Sequence, residues 1–265
     1  MSLYTHLRST FNGLSLLPYI TIVVLYIGFG LCYCIAVYEK HVYLFWPYIS
    51  DTGAFPPESC WFSFFLNIGG FLISVTGYMR YRQISEYISV SNTEIENRLK
   101  FLNAVSAIFI IAGGFGVTLV ANFQEVNIEA LHYGGAVLCF GLGPPYVLLQ
   151  AYMSYKLLPV SNSNKLVLFR LILGIIGSTT VITCLLTGIL SEEKFDDDVP
   201  DPDNQYWQWN KDLPDYGLRT TSTASEWITA GTFILYFLSL MPEFKNLRLS
   251  IVSRRNNHFD EDINN

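Results

Sequence analysis

Charge is what this chain has least of. Asp, Glu, Lys and Arg make up only 14% of its 265 residues, while 51% are hydrophobic. A soluble domain usually carries about a quarter charged residues. No hydrophilic stretch is long enough to fold as a soluble domain with its own core; the longest loop, 191–225, is too small to do so without staples. Histidine is scarce too: His6, His41, His132 and His258 lie on both sides of the apolar segments, so no histidine metal cluster can be assembled. Five cysteines, an odd number, argue against a disulfide framework. Cys32, Cys34, Cys139 and Cys184 fall inside apolar segments and read as small packing residues; Cys60 sits alone at an interface. Cys32 and Cys34, two residues apart, point to different faces of a helix and cannot form a zinc pair. There is no Asn-x-Ser/Thr sequon, no Gly-x-Ser-x-Gly, no phosphate-binding loop and no His-Glu-x-x-His. Asp51-Thr52-Gly53 matches the aspartic-protease triplet, but that chemistry needs two carboxylates sharing a proton, and no second triplet exists. The reading is of a protein that is not an enzyme, with no catalytic residue, no metal and no cofactor.

What is present is a set of six long apolar runs: Leu16–Val37, Trp61–Met79, Phe101–Ala121, Tyr133–Ser154, Leu168–Leu190 and Thr221–Pro242. Each is near the roughly 20 residues that a helix needs to cross a hydrocarbon core. The runs are continuous rather than alternating, which selects helices over a barrel. The predicted fold is all-α: a single six-helix transmembrane bundle over 1–245, followed by a short tail, 246–265. The first run is too long for a cleavable leader and reads as a signal anchor. Twelve of the 16 Lys and Arg fall in the N-terminal arm, the loops 80–100 and 156–170, and the tail. Fifteen of the 22 Asp and Glu fall on the other side. The positive-inside rule therefore predicts both termini in the cytosol. The basic face suits anionic lipid, and the acidic outer face excludes nucleic acid as a partner.

Several features inside the spans carry more specific expectations. Asn67, Ser74, Thr76, Gly69 and Gly70 in the second span, and Asn103, Ser106, Gly113, Gly114 and Gly116 in the third, suit close helix approach and hydrogen bonding in lipid. Gly141-Leu142-Gly143-Pro144-Pro145 predicts a kink or interruption of the fourth span at Pro144 and Pro145. Thr180, Thr183 and Thr187 share one helix face, a candidate helix contact. The last span is long enough only if it includes Glu226, which places that carboxylate about a turn inside the outer end. An ionisable residue there is a functional candidate. The run Glu192–Asp203 lacks the spacing of a calcium loop and reads as a solvated, flexible stretch, and Tyr206, Trp207 and Trp209 after it suit the interface. The topology brings Asp51, Glu58, Asn122, Gln124, Glu125, His132 and Glu226 to the outer ends of the spans. Such a polar ring is suited to a lipid headgroup, a cation or a proton; its alternative reading is a hydrogen-bonded plug that ties the spans together.

The run PYISDTGAFPPES, 47–59, resembles the signature of the Frag1/DRAM/Sfk1 family, with Pro47, Tyr48, Ser50, Asp51, Thr52, Gly53, Pro56, Pro57 and Glu58 carrying it. YMRYRQ (78–83), VANFQE (120–125), HYGGA (132–136), LLQAYMSYK (148–156) and STASEW (222–227) with FILYFL (233–238) follow in order, so the resemblance covers nearly the whole chain. It is nearest the damage-regulated autophagy modulator branch. The resemblance implies a multi-pass lysosomal or endosomal membrane protein that modulates autophagy, with no agreed catalytic residues. Other branches of the family work at the Golgi or ER in GPI-anchor remodelling, or at the plasma membrane in lipid asymmetry. Lipid handling is therefore the alternative function, and a transporter or channel past the proline pair the third. Tyr81–Ile84, Tyr87–Val90 and Tyr155–Leu158 fit a tyrosine sorting pattern. The expected partners are the lipid bilayer and a lipid headgroup; no protein partner is implied.

Overall fold

The computed structural model describes residues 7–91, 95–158, 163–198 and 209–253. Six helices are long and apolar enough to cross a membrane, with mean hydropathies from 1.3 to 2.4. They are α1 Leu16–Tyr38, α2 Glu58–Ser91, α3 Glu96–Asn122, α4 Glu129–Lys156, α5 Asn164–Asp198 and α6 Tyr216–Leu238. A single turn, α7 Met241–Phe244, follows. Each expected span lies within a helix, save that the last expected span ends in α7. The helices are longer because a helix does not stop where the hydrocarbon does. At 1.5 Å per residue, the 34 residues of α2 reach about 51 Å, well past a core of about 30 Å.

Two of those extensions overturn sequence expectations. The start of the acidic run, read as flexible, continues α5 as helix to Asp198; residues 199–208, including Tyr206 and Trp207, lie outside the described residues. The tyrosine patterns at 81 and 87 lie inside α2; Ile84, the apolar end of the first, is wholly buried, and Val90, the apolar end of the second, is 69% exposed. The pattern at 155 begins in the last turn of α4, with Tyr155 58% exposed. Helical, half-buried segments do not present an extended sorting peptide. Pro144 and Pro145, the pair expected to kink the fourth span, lie inside α4, which continues as helix on both sides of them.

Consecutive helices pack side by side from α1 to α6, and α6 also meets α1 and α4. Glycine permits the closest crossings. A Cβ on Gly114 would lie 2.7 Å from the Gly70 carbonyl oxygen, and one on Gly116 would lie 2.6 Å from that of Gly135. In lipid, such close backbone approach supplies packing that the hydrophobic effect does not. The outside is apolar, with Phe71 67% and Phe115 57% exposed. The polar side chains are instead turned inward.

One element was not expected. Strand β1, Leu7–Asn12, pairs antiparallel with β2, Arg248–Ser253, in a two-stranded ribbon with Leu7 opposite Ser253 and Asn12 opposite Arg248. An even number of crossings brings both ends of the chain to one face, and the ribbon joins them there. We call this the terminal end of the bundle and the opposite one the loop end.

Beneath the ribbon face lies a buried ionic knot. Arg80 of α2 and Arg170 of α5 are both wholly buried, and both reach Glu243 Oε2, at 3.0 and 2.5 Å. Arg80 also donates to Gln150 and Gln83, and Arg170 to Ser154 and to the Ser239 carbonyl. The knot joins α2, α4 and α5 to the chain at the end of α6. Charges taken out of water in this way are tolerated only when paired and hydrogen bonded.

Candidate functional site

The loop end is closed by the segment that joins α1 to α2. Its signature residues dip into the mouth of the bundle, and a 3-10 turn at Asp51–Gly53 is wholly buried. Thr52 Oγ1 donates to the Ile49 carbonyl at 2.6 Å and tightens the turn. Gly53 is required there, since a Cβ would run into the Phe62 ring. Pro56 and Pro57 are joined by a cis peptide bond, and Glu58 opens α2.

This loop is held chiefly by one face of α6. The Pro47 carbonyl accepts from Trp227 Nε1 at 2.9 Å, and Tyr48 Oη donates to Ser222 Oγ at 2.6 Å. The Ile49 N–H donates to Glu226 Oε2 at 2.7 Å, and Arg219 Nη2 donates to Asp51 Oδ2 at 2.8 Å. Residues 219, 222 and 226 are spaced to fall on one helix face. The Arg219 guanidinium lies between two aromatic faces, 4.5 Å from the Trp209 ring and 4.9 Å from that of Tyr48. Such stacking suits a planar, weakly hydrated cation. Two of the sequence motifs, 47–59 and 222–227, thus dock against each other.

Glu226 lies further from the start of its helix than the sequence placed it. It is ten residues beyond the start of α6, or about 15 Å along the axis, rather than one turn. The expectation assumed that the helix begins near residue 221; it begins at Tyr216. The carboxylate is therefore an acceptor for the loop backbone and not a cap of its own helix. Among the described residues no hydrogen bond reaches its second oxygen, Oε1.

The seven ring candidates fall into separate groups. Asp51 and Glu226 share the docked loop. Glu58 pairs with His41 Nδ1 at 2.6 Å. Glu125 accepts from Tyr133 Oη at 2.7 Å, and its Oε2 lies 4.0 Å from His132 Nε2. His132 Nδ1 meets the Phe123 carbonyl at 2.9 Å. Asn122 exchanges hydrogen bonds with Asn67 at 3.0 and 2.8 Å, and Gln124 accepts from Asn127 at 3.1 Å. The groups still share one field, because the Glu125 charge acts on Asp51. Burial pushes the Asp51 carboxyl up to about 7, against the opposing pull of Arg219. Burial likewise raises the Tyr48 phenol above its ordinary range.

Sequence reasoning missed Arg219, His41 and Trp209. Arg219 carried a signal, its spacing of seven from Glu226, but it had been assigned to a loop. Arg80 and Arg170 were read as interfacial markers of orientation, and nothing in the sequence separates a buried arginine from an exposed one at a span end. On the expected threonine face, Thr180 Oγ1 meets Thr229 Oγ1 of α6 at 2.7 Å, whereas Thr183 and Thr187 bond back to their own helix.

A six-helix membrane bundle whose first loop is docked by a buried carboxylate and arginine of its last helix is the class of protein that these features define. The chain belongs to the Frag1/DRAM/Sfk1 family: the Frag1/DRAM/Sfk1/Cwh43P N-terminal domain matches residues 13–247. It is 33% identical to the human DNA damage-regulated autophagy modulator protein 1, over 92% of this chain and 97% of that one. It is 34% identical to the mouse DNA damage-regulated autophagy modulator protein 2, over 91% of this chain and 87% of that one. Transmembrane protein 150A of Xenopus laevis is 34% identical over 54% of this chain and 48% of its own length. No solved structure matches.

Proposed function

We propose that this protein is a non-enzymatic modulator of autophagy in the lysosomal or endosomal membrane, with both termini in the cytosol and the loop end in the lumen. The observation that carries the reading is its one-third identity, across more than nine-tenths of the chain, to proteins named as autophagy modulators. The site chemistry is in keeping with it. The loop-end carboxylates engage arginine, histidine, tyrosine and backbone donors, an arrangement suited to holding a loop or sensing a ligand rather than breaking bonds. Charge sorting along the loops supports the orientation.

The test combines place with effect. The protein, tagged at its C-terminus and expressed at native level, is imaged against lysosome, Golgi and plasma-membrane markers. Autophagic flux is then measured in cells lacking it. Lysosomal residence with altered flux supports the reading; residence elsewhere with unchanged flux sinks it. A second reading, lipid handling, is favoured by an apolar groove that opens on the membrane between α1 and α6. It predicts that loss of the protein shifts membrane lipid composition whatever its compartment.

A further inference from the structure

The junction of the first and last membrane helices is not filled. A groove of about 440 Å³ runs between α1 and α6, walled by Tyr26, Phe29, Tyr33, Trp46 and Trp227 and floored by small residues. Gly30 of α1 and Gly231 of α6 both line it, and a Cβ on either would meet nothing within 4 Å. Behind it lies an inner cavity of about 100 Å³, apolar except for a few groups, of which Glu226 is the single charged one. Phe29, Ala230 and Ile234 line both spaces, which therefore adjoin at these three side chains.

Two observations point to a ligand. Glu226 is only 8% exposed, lines the inner cavity, and offers Oε1 with no protein donor among the described residues. Oε1 is not among the fully buried atoms and so stays open to a donor inside the cavity. The combined space also falls within the range of small-molecule sites, which are mostly apolar with a few placed polar groups.

The chemistry narrows the occupant. A phosphate-bearing head would find no cation here, since the single charged group lining either space is Glu226. A primary ammonium brings three donors, whereas the oxygen-bearing side chains of the cavity are Glu226, Ser50 and Thr21, and Thr21 already bonds Leu17 and meets Thr76. A single hydroxyl matches a single open acceptor. Flat aromatic walls against bare glycines favour a rigid fused-ring body, which loses less conformational freedom on binding than a flexible chain.

We propose that the α1–α6 groove and the cavity behind it bind a membrane sterol, with its hydroxyl donating to Glu226 Oε1 and its ring face lying along Gly30 and Gly231. The site deepens the lipid-handling reading and is independent of the compartment in which the protein works.

The test uses the full chain in phosphatidylcholine nanodiscs with a photoactivatable, alkyne-tagged sterol. Labelled peptides are mapped by mass spectrometry, with unlabelled cholesterol as competitor. The label should map to α1 and α6 and be competed. Gly30→Leu and Gly231→Leu should each lower it at least about tenfold. Both replace glycine by a better helix former in open space, so neither should disturb folding. Gly134→Leu, also in open space but on α4, should leave labelling unchanged. Equal labelling of either groove variant overturns the proposal, as does a wild-type map outside α1 and α6. Photoactivatable phosphatidylcholine or sphingosine labelling the groove as strongly as the sterol overturns it too. Should one variant fail to purify as a single species, the other reads the same groove from the facing helix. Intact sterol labelling without a lipid shift on deletion sinks lipid handling but keeps the site; the reverse sinks the site alone.

Discussion

Asp51 is 2.8 Å from an arginine, yet burial holds its carboxyl up to about 7, above an ordinary value of 3.8. The folded protein therefore binds that proton more tightly than the unfolded chain does. Between about pH 4 and about pH 7 the folded state holds the extra proton, so the contribution of Asp51 to stability falls as pH rises across that window. Thermal unfolding of the purified protein should show this as a loss of stability with rising pH that Asp51→Asn lacks; parallel pH profiles for the two proteins would rule it out. Glu226 makes a different prediction, because its Oε2 is the acceptor for the buried Ile49 N–H. Glu226→Ala should cost about 1–3 kcal/mol by orphaning that donor, whereas Glu226→Gln keeps an acceptor and should cost less. Denaturation of both variants in the same detergent decides whether the loop depends on that bond.

At the scale of elements, two devices hold the helices together, and each can be removed singly. Glu243 is the one carboxylate shared by Arg80 and Arg170. Glu243→Ala should destabilise the bundle by about 3–5 kcal/mol, since it leaves buried guanidinium charge uncompensated. A loss below about 1 kcal/mol would show that water reaches the knot. The α3–α4 crossing depends on Gly116 and Gly135 in the same way. Gly116→Val places atoms where the Gly135 carbonyl oxygen lies, so it should lower the melting temperature sharply, while Gly134→Val on α4 should not.

For the whole molecule, the ribbon places residues 7–12 and 248–253 on one face. In sealed vesicles, epitopes at the two ends should be digested together by added protease, and protection of one alone would contradict the topology. The crossings themselves were legible because each is a continuous apolar run that only a helix can carry through lipid. Their ends were not, since Arg80–Ser91 and Ser191–Asp198 continue a helix with polar residues that read as loop. Glu226 stood out as a carboxylate that the last span could not avoid. Its partner did not, because Ile49 is 177 residues away and contributes a backbone N–H, which every residue but proline has. The ribbon was equally hidden: its strands, LRSTFN and RLSIVS, are short and lie at opposite ends of the chain, so no turn between them announces the pairing.

The docking of the first loop by the last helix also sets an order of assembly. A ribosome delivers the loop 47–58 to the loop end long before it makes Arg219 and Glu226, and β1 long before β2. Until α6 arrives, the Asp51 carboxylate has no arginine, the Ile49 N–H has no acceptor and the N-terminal strand has no mate. The last fifth of the chain thus acts as a keystone that completes what the first quarter began. A nascent chain cut short before α6 would display an uncovered acidic loop at one end and a lone strand at the other, two marks by which an unfinished copy differs from a finished one.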